Sequence, residues 1–221
     1  MWSCVLNNTA MIAATGSADF HASIYDAITG DKTYCWEHKH IVRCVHFASD
    51  GHRLATGCQD KGIRIFDVNQ PSSDPISFTN CADSIRTVTW LHDDRHILVS
   101  YLSNPGMAIY DLRSGEVTAT LASSSPVTSV DLTFDGQVLT TAAGKTVTVY
   151  DASTMQLRHQ MTTEYEVESA SVSLERGMIV AGGGDMWAHV HDIHSGEELQ
   201  VRVSLVLELS YMYLSTATLS A

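Results

Sequence analysis

Residues 42–67 read VRCVHFASDGHRLATGCQDKGIRIFD, and this stretch contains the pattern that decides the fold. Three apolar runs, VRCVHF, RLATG and IRIFD, are separated by short segments that contain aspartate and glycine. Alternation of apolar and polar residues and many β-branched side chains are typical of strands, and Asp-Gly sequences are typical of tight turns. The stretch therefore predicts three antiparallel strands joined by two tight turns.

The same pattern recurs along the chain. An aromatic residue or a histidine, followed by aspartate, closes each unit, and consecutive closing aspartates are 40 to 44 residues apart. The closing pairs are Tyr25-Asp26, Phe66-Asp67, Tyr110-Asp111, Tyr150-Asp151 and His191-Asp192. Self-similarity at a fixed period indicates a repeat architecture.

Two further features recur inside the units. A turn position lies seven residues before each closing aspartate, and a weaker fourth strand follows each closing pair, as in DKTYCW and EVTATL. The turn positions are Asp19, Asp60, Asn104, Gly144 and Asp185. Four antiparallel strands in a repeated unit of this length are typical of a β-propeller blade, so we predict an all-β propeller.

Charge and cysteine content limit the function classes. The chain has 13 basic and 25 acidic residues, a net charge of −12, so its average field repels polyanions and bulk nucleic-acid binding is not expected. Its five cysteines include no Cys-x-x-Cys pair, which favours free thiols in a reducing compartment. We therefore expect a cytoplasmic and nuclear protein that does not bind a membrane.

Two glycine-containing stretches resemble phosphate-binding loops. Residues 142–146 read AAGKT, but Leu139 stands where that motif needs glycine, and a strand follows instead of a helix. Glycines 182–184 are likewise not followed by a helix. We predict a hairpin turn at Gly144 and a strand that passes close to its neighbours at residues 182–184.

Three histidines near the end of the repeat raise the question of a metal. His189 and His191 lie two apart on a predicted strand and face the same side, and His194 lies in the next turn. Zinc needs a third or fourth ligand, and the nearest other group of histidines, residues 38, 40 and 46, lies several units away. We therefore predict a packing role inside the blade for His191, with no metal and no cofactor.

Acidic residues also lack the partners that catalysis needs. The pairs Asp93-Asp94 and Glu197-Glu198, together with Glu116 and Asp135, all fall in predicted surface turns. None lies beside an obvious nucleophile and base. We expect solvated turns and a protein that is not an enzyme.

These repeats resemble the WD-repeat family. In that family a histidine before the first strand, a serine or threonine in the second, an aspartate in the next turn and a tryptophan ending the third form a structural network in each blade. The most complete set here is His38, Thr56, Asp60 and Phe66, in which phenylalanine lacks the N–H of tryptophan. The matching residues of the other units are Thr15, Asp19 and Tyr25; Ser100 and Tyr110; Thr141 and Tyr150; and Asp185 and His191.

The closer resemblance is to the serine/threonine kinase receptor-associated proteins, also called the Unr-interacting proteins. It is carried by ATGSADFHASIYDAITGD (residues 14–31), HKHIVRCVHFASDGHRLATGCQDKGIRIFDVNQP (38–71) and IVAGGGDMWAHVHDIHSGEEL (179–199). This resemblance implies an interaction scaffold in the SMN complex, which loads Sm proteins onto spliceosomal small nuclear RNAs in snRNP assembly, and hence a role in pre-mRNA splicing. It also implies protein partners among the components of that complex and among receptor kinases.

Two alternatives remain open. The i subunit of translation initiation factor three resembles the chain blade for blade and would make it a translation scaffold. A propeller enzyme with a site in the central channel would need carboxylates and histidines directed inward from several blades. The sequence does not predict which surface binds a partner.

The resemblance also sets an expectation for the ends of the chain. Residues 1–200 match about five of the seven blades that the family implies, which predicts an incomplete ring. Residues 201–221 show no repeat signal and form a divergent tail, although apolar residues alternate there as in a strand. We expect a fragment whose unpaired sheet edges reduce solubility.

Overall fold

The computed structural model describes residues 1–79, 81–133 and 135–203, with the backbone alone for residues 200–203. All regular structure in these residues is β-strand, which confirms the predicted all-β class. None of the described residues forms a helix long and apolar enough to cross a membrane.

Twenty strands form five four-stranded antiparallel sheets, in which neighbouring strands are consecutive in the chain. The first sheet contains β1 (Ser3–Leu6), β2 (Ile12–Gly16), β3 (His21–Asp26) and β4 (Lys32–Glu37). The second contains β5 (Val42–Phe47), β6 (Arg53–Cys58), β7 (Ile63–Asp67) and β8 (Ile76–Phe78). The third contains β9 (Ile85–Trp90), β10 (His96–Tyr101), β11 (Met107–Asp111) and β12 (Val117–Leu121).

The remaining two sheets follow the same order. The fourth contains β13 (Val127–Leu132), β14 (Val138–Ala143), β15 (Thr146–Asp151) and β16 (Leu157–Thr162). The fifth contains β17 (Val167–Ser173), β18 (Met178–Gly183), β19 (Trp187–Asp192) and β20 (Glu198–Val203). Each sheet is one blade, and each of the five predicted closing aspartates ends the third strand of its blade.

The closing aspartates recur because each one starts the turn from the third to the fourth strand. Oδ1 of Asp26 accepts the backbone N–H of Ile28 at 2.8 Å, and Oδ1 of Asp111 accepts that of Arg113 at 2.7 Å. Equivalent bonds to the residue two positions later are made by Asp67, Asp151 and Asp192. A side-chain oxygen in this position imitates a backbone turn, so the aspartate satisfies a donor that the strand ladder leaves free.

The predicted turn aspartates act in the same way between the second and third strands. Oδ1 of Asp19, Asp60 and Asp185 accepts the N–H two residues later, at 3.1, 3.0 and 3.2 Å. The residue after each aspartate has positive φ: Phe20, Lys61 and Met186. In the fourth blade the turn position itself is left-handed, at Gly144. Such left-handed turns match the twist of the strands that they join.

Both glycine-containing stretches have the predicted structure. Ala143 pairs with Thr146 across a hairpin turn between β14 and β15, so AAGKT is not a phosphate-binding loop. Gly183 ends β18 so close to the residues before β17 that an added Cβ would overlap the carbonyl oxygen of Glu166. Its lack of a side chain permits this close approach.

The core lies between adjacent blades. Apolar side chains of each sheet pack on those of the next, and four buried clusters fill the four spaces between the five blades. Trp90 of β9 is 2% exposed, and its Nε1 donates to the His46 carbonyl of β5 at 3.0 Å. Burial of side chains of this size stabilises a fold by about 1.5–3 kcal/mol each, so the interfaces between blades are the main source of stability.

The inner strands of consecutive sheets pack against one another, in the order β1, β5, β9, β13 and β17. Among residues 1–79, 81–133 and 135–203, no strand pairing joins the first sheet to the fifth. The ring is therefore open, as the predicted incomplete propeller requires.

The boundary predicted after residue 200 falls within β20. This strand pairs with β19 up to Val203, so residues 201–203 form the end of the fifth blade. The rest of the predicted tail, residues 204–221, lies outside the described residues.

Candidate functional site

The most complete network predicted from the sequence is in the second blade. Nε2 of His38 lies 2.9 Å from Oγ1 of Thr56, and Nδ1 lies 3.3 Å from the Trp36 carbonyl oxygen. A neutral imidazole has one donor and one acceptor, so Nδ1–H donates to the carbonyl and Nε2 accepts the Thr56 hydroxyl. Burial, followed by the nearby Arg64 charge, lowers the pKa of His38 to about 4, which keeps the ring neutral.

Asp60 and Phe66, the other two residues of the predicted network, take no part in the two hydrogen bonds of His38. The carboxylate of Asp60 binds the guanidinium of Arg64 at 2.6 Å, four residues later on β7. Phe66 stacks on Trp36 with ring centroids 4.4 Å apart, and the rings of Phe66 and His38 make a T-shaped contact. Trp36 was missed because it belongs to β4 of the preceding blade; its Nε1 donates to the Pro71 carbonyl at 2.8 Å.

In the first blade the predicted residues do not form one network. Thr15 is half-buried on β2, and Asp19 is exposed and bonds within its own turn. The ring of Tyr25 lies under the ammonium of Lys32 at 5.6 Å.

In the third blade the predicted residues make hydrogen bonds between hydroxyl groups. Oγ of Ser100 lies 2.7 Å from Oγ1 of Thr87 on the inner strand β9. The hydroxyl of Tyr110 lies 3.1 Å from that of Tyr101, and burial raises the pKa values of both phenols. Tyr101 was missed because nothing in the repeat distinguishes its position.

In the fourth blade the predicted residues line a groove. A groove of about 220 Å³ lies between the third and fourth sheets. Its lining includes Thr141 and Tyr150, together with Ser123 of the preceding loop and Met107 of the preceding blade. Ser123 lies twelve residues after Asp111, as His38 lies twelve after Asp26. Ser123 therefore has the position in its repeat unit that His38 has in the second blade.

In the fifth blade the predicted residues belong to a cluster of ionisable groups. Nε2 of His189 lies 2.7 Å from Oδ2 of Asp185, and its Nδ1 lies 3.3 Å from Oε2 of Glu198. The ring of Tyr165 stacks on that of His189 with centroids 4.0 Å apart, and its hydroxyl lies 3.1 Å from Nε2 of His191. Burial is the main cause of a lowered pKa at His191, so this ring is neutral at neutral pH.

Glu198 was predicted to lie in a surface turn, but it lies on a strand, although its side chain is exposed as expected. It begins β20 directly opposite His191, and its carboxylate reaches across to His189. Ligand atoms of His189, His191 and Glu198 all lie within 4.8 Å of one another. Sequence spacing alone did not associate Glu198 with the histidines because a turn separates them.

On the inner strands, one arginine makes contacts with two further blades. Arg86 of β9 donates through Nε to the Thr128 carbonyl at 3.2 Å and through Nη2 to Glu168 at 3.3 Å. The guanidinium thus joins the inner strands of three blades, and Glu168 lies in an ion pair instead of beside a nucleophile.

Comparison with known proteins agrees with this architecture. The family described as "WD domain, G-beta repeat" matches residues 30–67 and 115–151. The "Serine-threonine kinase receptor-associated protein" of Dictyostelium discoideum is 34% identical over 201 residues, which cover 91% of this chain and 68% of that protein. The protein of the same name from Gallus gallus is 33% identical over 90% of this chain, and the match covers 57% of that protein.

A second group is less similar. The "Eukaryotic translation initiation factor 3 subunit I" of Botryotinia fuckeliana is 26% identical over 199 residues, which cover 83% of this chain and 59% of that protein. The blade architecture and the first group of relatives together support a protein-interaction scaffold. The chain belongs to the WD-repeat family that includes the serine-threonine kinase receptor-associated proteins.

Proposed function

We propose that this protein is a scaffold of the SMN complex, which loads Sm proteins onto spliceosomal small nuclear RNAs, and that it thereby serves pre-mRNA splicing. The observation that carries the proposal is the 34% identity to a receptor-associated protein along 91% of the chain. The resemblance to that family implies this role. The match covers 57% of the relatives from Gallus gallus and Mus musculus, so the role is proposed for the protein as a whole.

The charge of the chain supports contact with proteins in preference to RNA. A net charge of −12 opposes a phosphate backbone, whereas it favours basic protein surfaces. The proposed partners are therefore protein components of the complex, in the cytoplasm and in the nucleus.

The use of the polar side chains supports a scaffold role. His38 and Thr56 satisfy each other inside the second blade, and the Asp60–Arg64 ion pair spans its turn. Groups occupied in this way hold the blade together and are not directed at a substrate. This observation favours a rigid docking module over the channel enzyme.

Association with a receptor kinase is a second proposed interaction. The name of the relatives states that they associate with a serine-threonine kinase receptor. We propose the same class of partner for this chain, through the scaffold and without a catalytic step.

The competing function is a translation initiation scaffold. Its support is the 26% identity to initiation factor subunits over 83% of the chain. That identity is lower than the identity to the receptor-associated proteins, so we place this function second.

Affinity purification of the full-length protein from cells that encode it, followed by mass spectrometry, separates the two functions. We expect Sm proteins and their assembly factors to be recovered in stoichiometric amounts. Recovery of ribosomal subunits and initiation factors without Sm-assembly components would contradict the proposal.

A matched control for non-specific capture is Trp90→Ala, which removes a buried side chain between the second and third blades. Partners that recognise the folded propeller should be lost from this variant. Proteins that bind exposed apolar surface should instead be recovered in larger amounts.

A further inference from the structure

The fifth blade brings together two imidazoles and a carboxylate in a way that the blade itself does not require. Strand β19 places His189 and His191 on one face, and β20 places Glu198 beside them. Both histidines are buried, at 7% and 6% exposure, whereas Glu198 reaches solvent. We propose that His189, His191 and Glu198 bind a zinc ion that fastens the outer strand of this blade.

Hydrogen bonding at His189 supports this assignment. Nε2 lies 2.7 Å from the Asp185 carboxylate, which can only accept, so the proton of a neutral ring belongs on Nε2. Nδ1 then presents a lone pair to Oε2 of Glu198, 3.3 Å away. Two acceptors at this distance repel each other unless a cation lies between them. A zinc ion supplies that cation, and the alternative is a second proton on the ring.

The spacing of these two atoms suits zinc. Zinc bonds of about 2.0–2.1 Å to nitrogen and oxygen, at a tetrahedral angle, place neighbouring ligand atoms about 3.3–3.4 Å apart. The observed separation of Nδ1 and Oε2 is 3.3 Å. Ligand atoms of all three residues lie within 4.8 Å of one another, so His191 would have to move closer to the other two in order to bind the same ion.

The surroundings of the two histidines are those of a metal site. Asp185 would hold His189 in the tautomer that coordinates through Nδ1, as carboxylates beside metal-bound histidines commonly do. Nδ1 of His191 is buried and makes no hydrogen bond of normal geometry among the described residues, although the Gly196 backbone lies close to the ring. Imidazole and carboxylate together are a ligand set that zinc accepts, with solvent at the fourth position.

The physical consequence is a cross-link between two strands. His191 and Glu198 face each other in the register of β19 and β20. A zinc ion bound to both would add bonds between these strands at the edge of the fifth blade. Because the ion would bind the folded state and not the unfolded state, it would then stabilise that blade.

The proposal is tested by metal titration of the untagged full-length chain with zinc alone. Isothermal titration calorimetry should show one equivalent, and Co²⁺ in place of zinc should give the intense visible absorption of a tetrahedral site. Glu198→Gln should weaken binding at least tenfold, and Asp185→Asn should weaken it by about 10-fold to 100-fold. Both substituted groups are partly or fully exposed, so these variants should fold.

Glu197→Gln is the matched control, because it makes the same chemical change at the preceding exposed residue. It should bind zinc as the unsubstituted chain does. Zinc should raise the Tm of the unsubstituted chain and of Glu197→Gln, but not the Tm of Glu198→Gln. The proposal is overturned if no equivalent of zinc binds, if Glu198→Gln binds unchanged, or if a sulfur-to-cobalt charge-transfer band places the metal on cysteine.

Discussion

His38 uses both of its ring nitrogens, one toward β4 of the first blade and one toward β6 of the second, and it therefore shows how neighbouring blades are held together. Its two hydrogen bonds connect the end of β4 to the middle of β6, and its ring makes a T-shaped contact with Phe66. Its partner hydroxyl could be predicted from the repeat, because Thr56 lies at a fixed offset from Asp67. The contact of Trp36 with Phe66 could not be predicted from the repeat, because stacking between blades depends on how two sheets pack.

Thr56→Val tests the bond between His38 and Thr56. Valine keeps the shape of threonine but leaves Nε2 of His38 buried without a partner, which should lower the free energy of unfolding by about 1–3 kcal/mol. Urea unfolding followed by circular dichroism measures the change. Thr15→Val is the control, because Thr15 is half-buried at the same position of the first blade and makes no side-chain hydrogen bond in the part of the chain that the structure describes. It should change stability by no more than about 0.5 kcal/mol, and equal losses in the two variants would refute the role of the bond.

The pKa of His38 makes stability depend on pH. Because burial lowers this pKa from 6.5 to about 4, the unfolded chain binds the proton more readily, and stability falls as pH decreases from about 6.5 to about 4. Between pH 7 and pH 5 the loss from this residue should be about 2 kcal/mol.

Unfolding free energies of His38→Gln at pH 7 and pH 5 test this dependence. The variant has no titrating group at this position, so its loss over this range should be smaller than that of the unsubstituted chain. His52→Gln removes an exposed histidine and is the control. If His38→Gln loses as much stability as the unsubstituted chain, the burial argument fails.

At the scale of single elements, the turns set the length and the order of the strands. The aspartate that closes each unit and the aspartate before β3, β7 and β19 each bind the backbone N–H two residues later. Because these bonds are local, the strands and turns were predictable from the sequence. The function of the closing aspartate as a turn residue became clear only from the hydrogen bonds.

Gly183 provides a test of the close approach between β18 and the segment before β17. In Gly183→Ala the added Cβ would overlap the Glu166 carbonyl oxygen and lie 3.0 Å from Cα of Val167, so the backbone must move. The free energy of unfolding should fall by about 1–3 kcal/mol.

Gly184→Ala is the matched control, because its added Cβ would meet nothing within 4 Å. This variant should stay within about 0.5 kcal/mol of the unsubstituted chain in urea unfolding. If both alanines have the same effect, the strand does not pass its neighbour as closely as the structure shows.

At the scale of the whole molecule, the blades depend on one another. Each buried cluster is shared by two consecutive sheets, so no blade completes a core alone. The stability of such an array is approximately a sum of blade terms and interface terms. A defect at one interface should therefore weaken the coupling between the parts on either side of it.

Trp90→Ala tests that coupling. Loss of this 2% exposed side chain and of its bond to the His46 carbonyl should cost about 3–5 kcal/mol, with a lower m-value as the two parts unfold separately. Circular dichroism and hydrogen exchange should then report different transitions. Trp187→Ala, at a position that is 41% exposed, should cost about 1 kcal/mol or less and leave one transition.

The sequence by itself determined the strands, the turns, the repeat and the family of the protein, because alternation and turn chemistry act over a few residues and recur in every unit. Only the tertiary structure decided which side chains meet between elements. Trp36 reaches Phe66 from the preceding blade, and Glu198 reaches His189 from the neighbouring strand. These contacts depend on sheet packing and strand register, which bring together residues whose spacing in the chain carries no signal of its own.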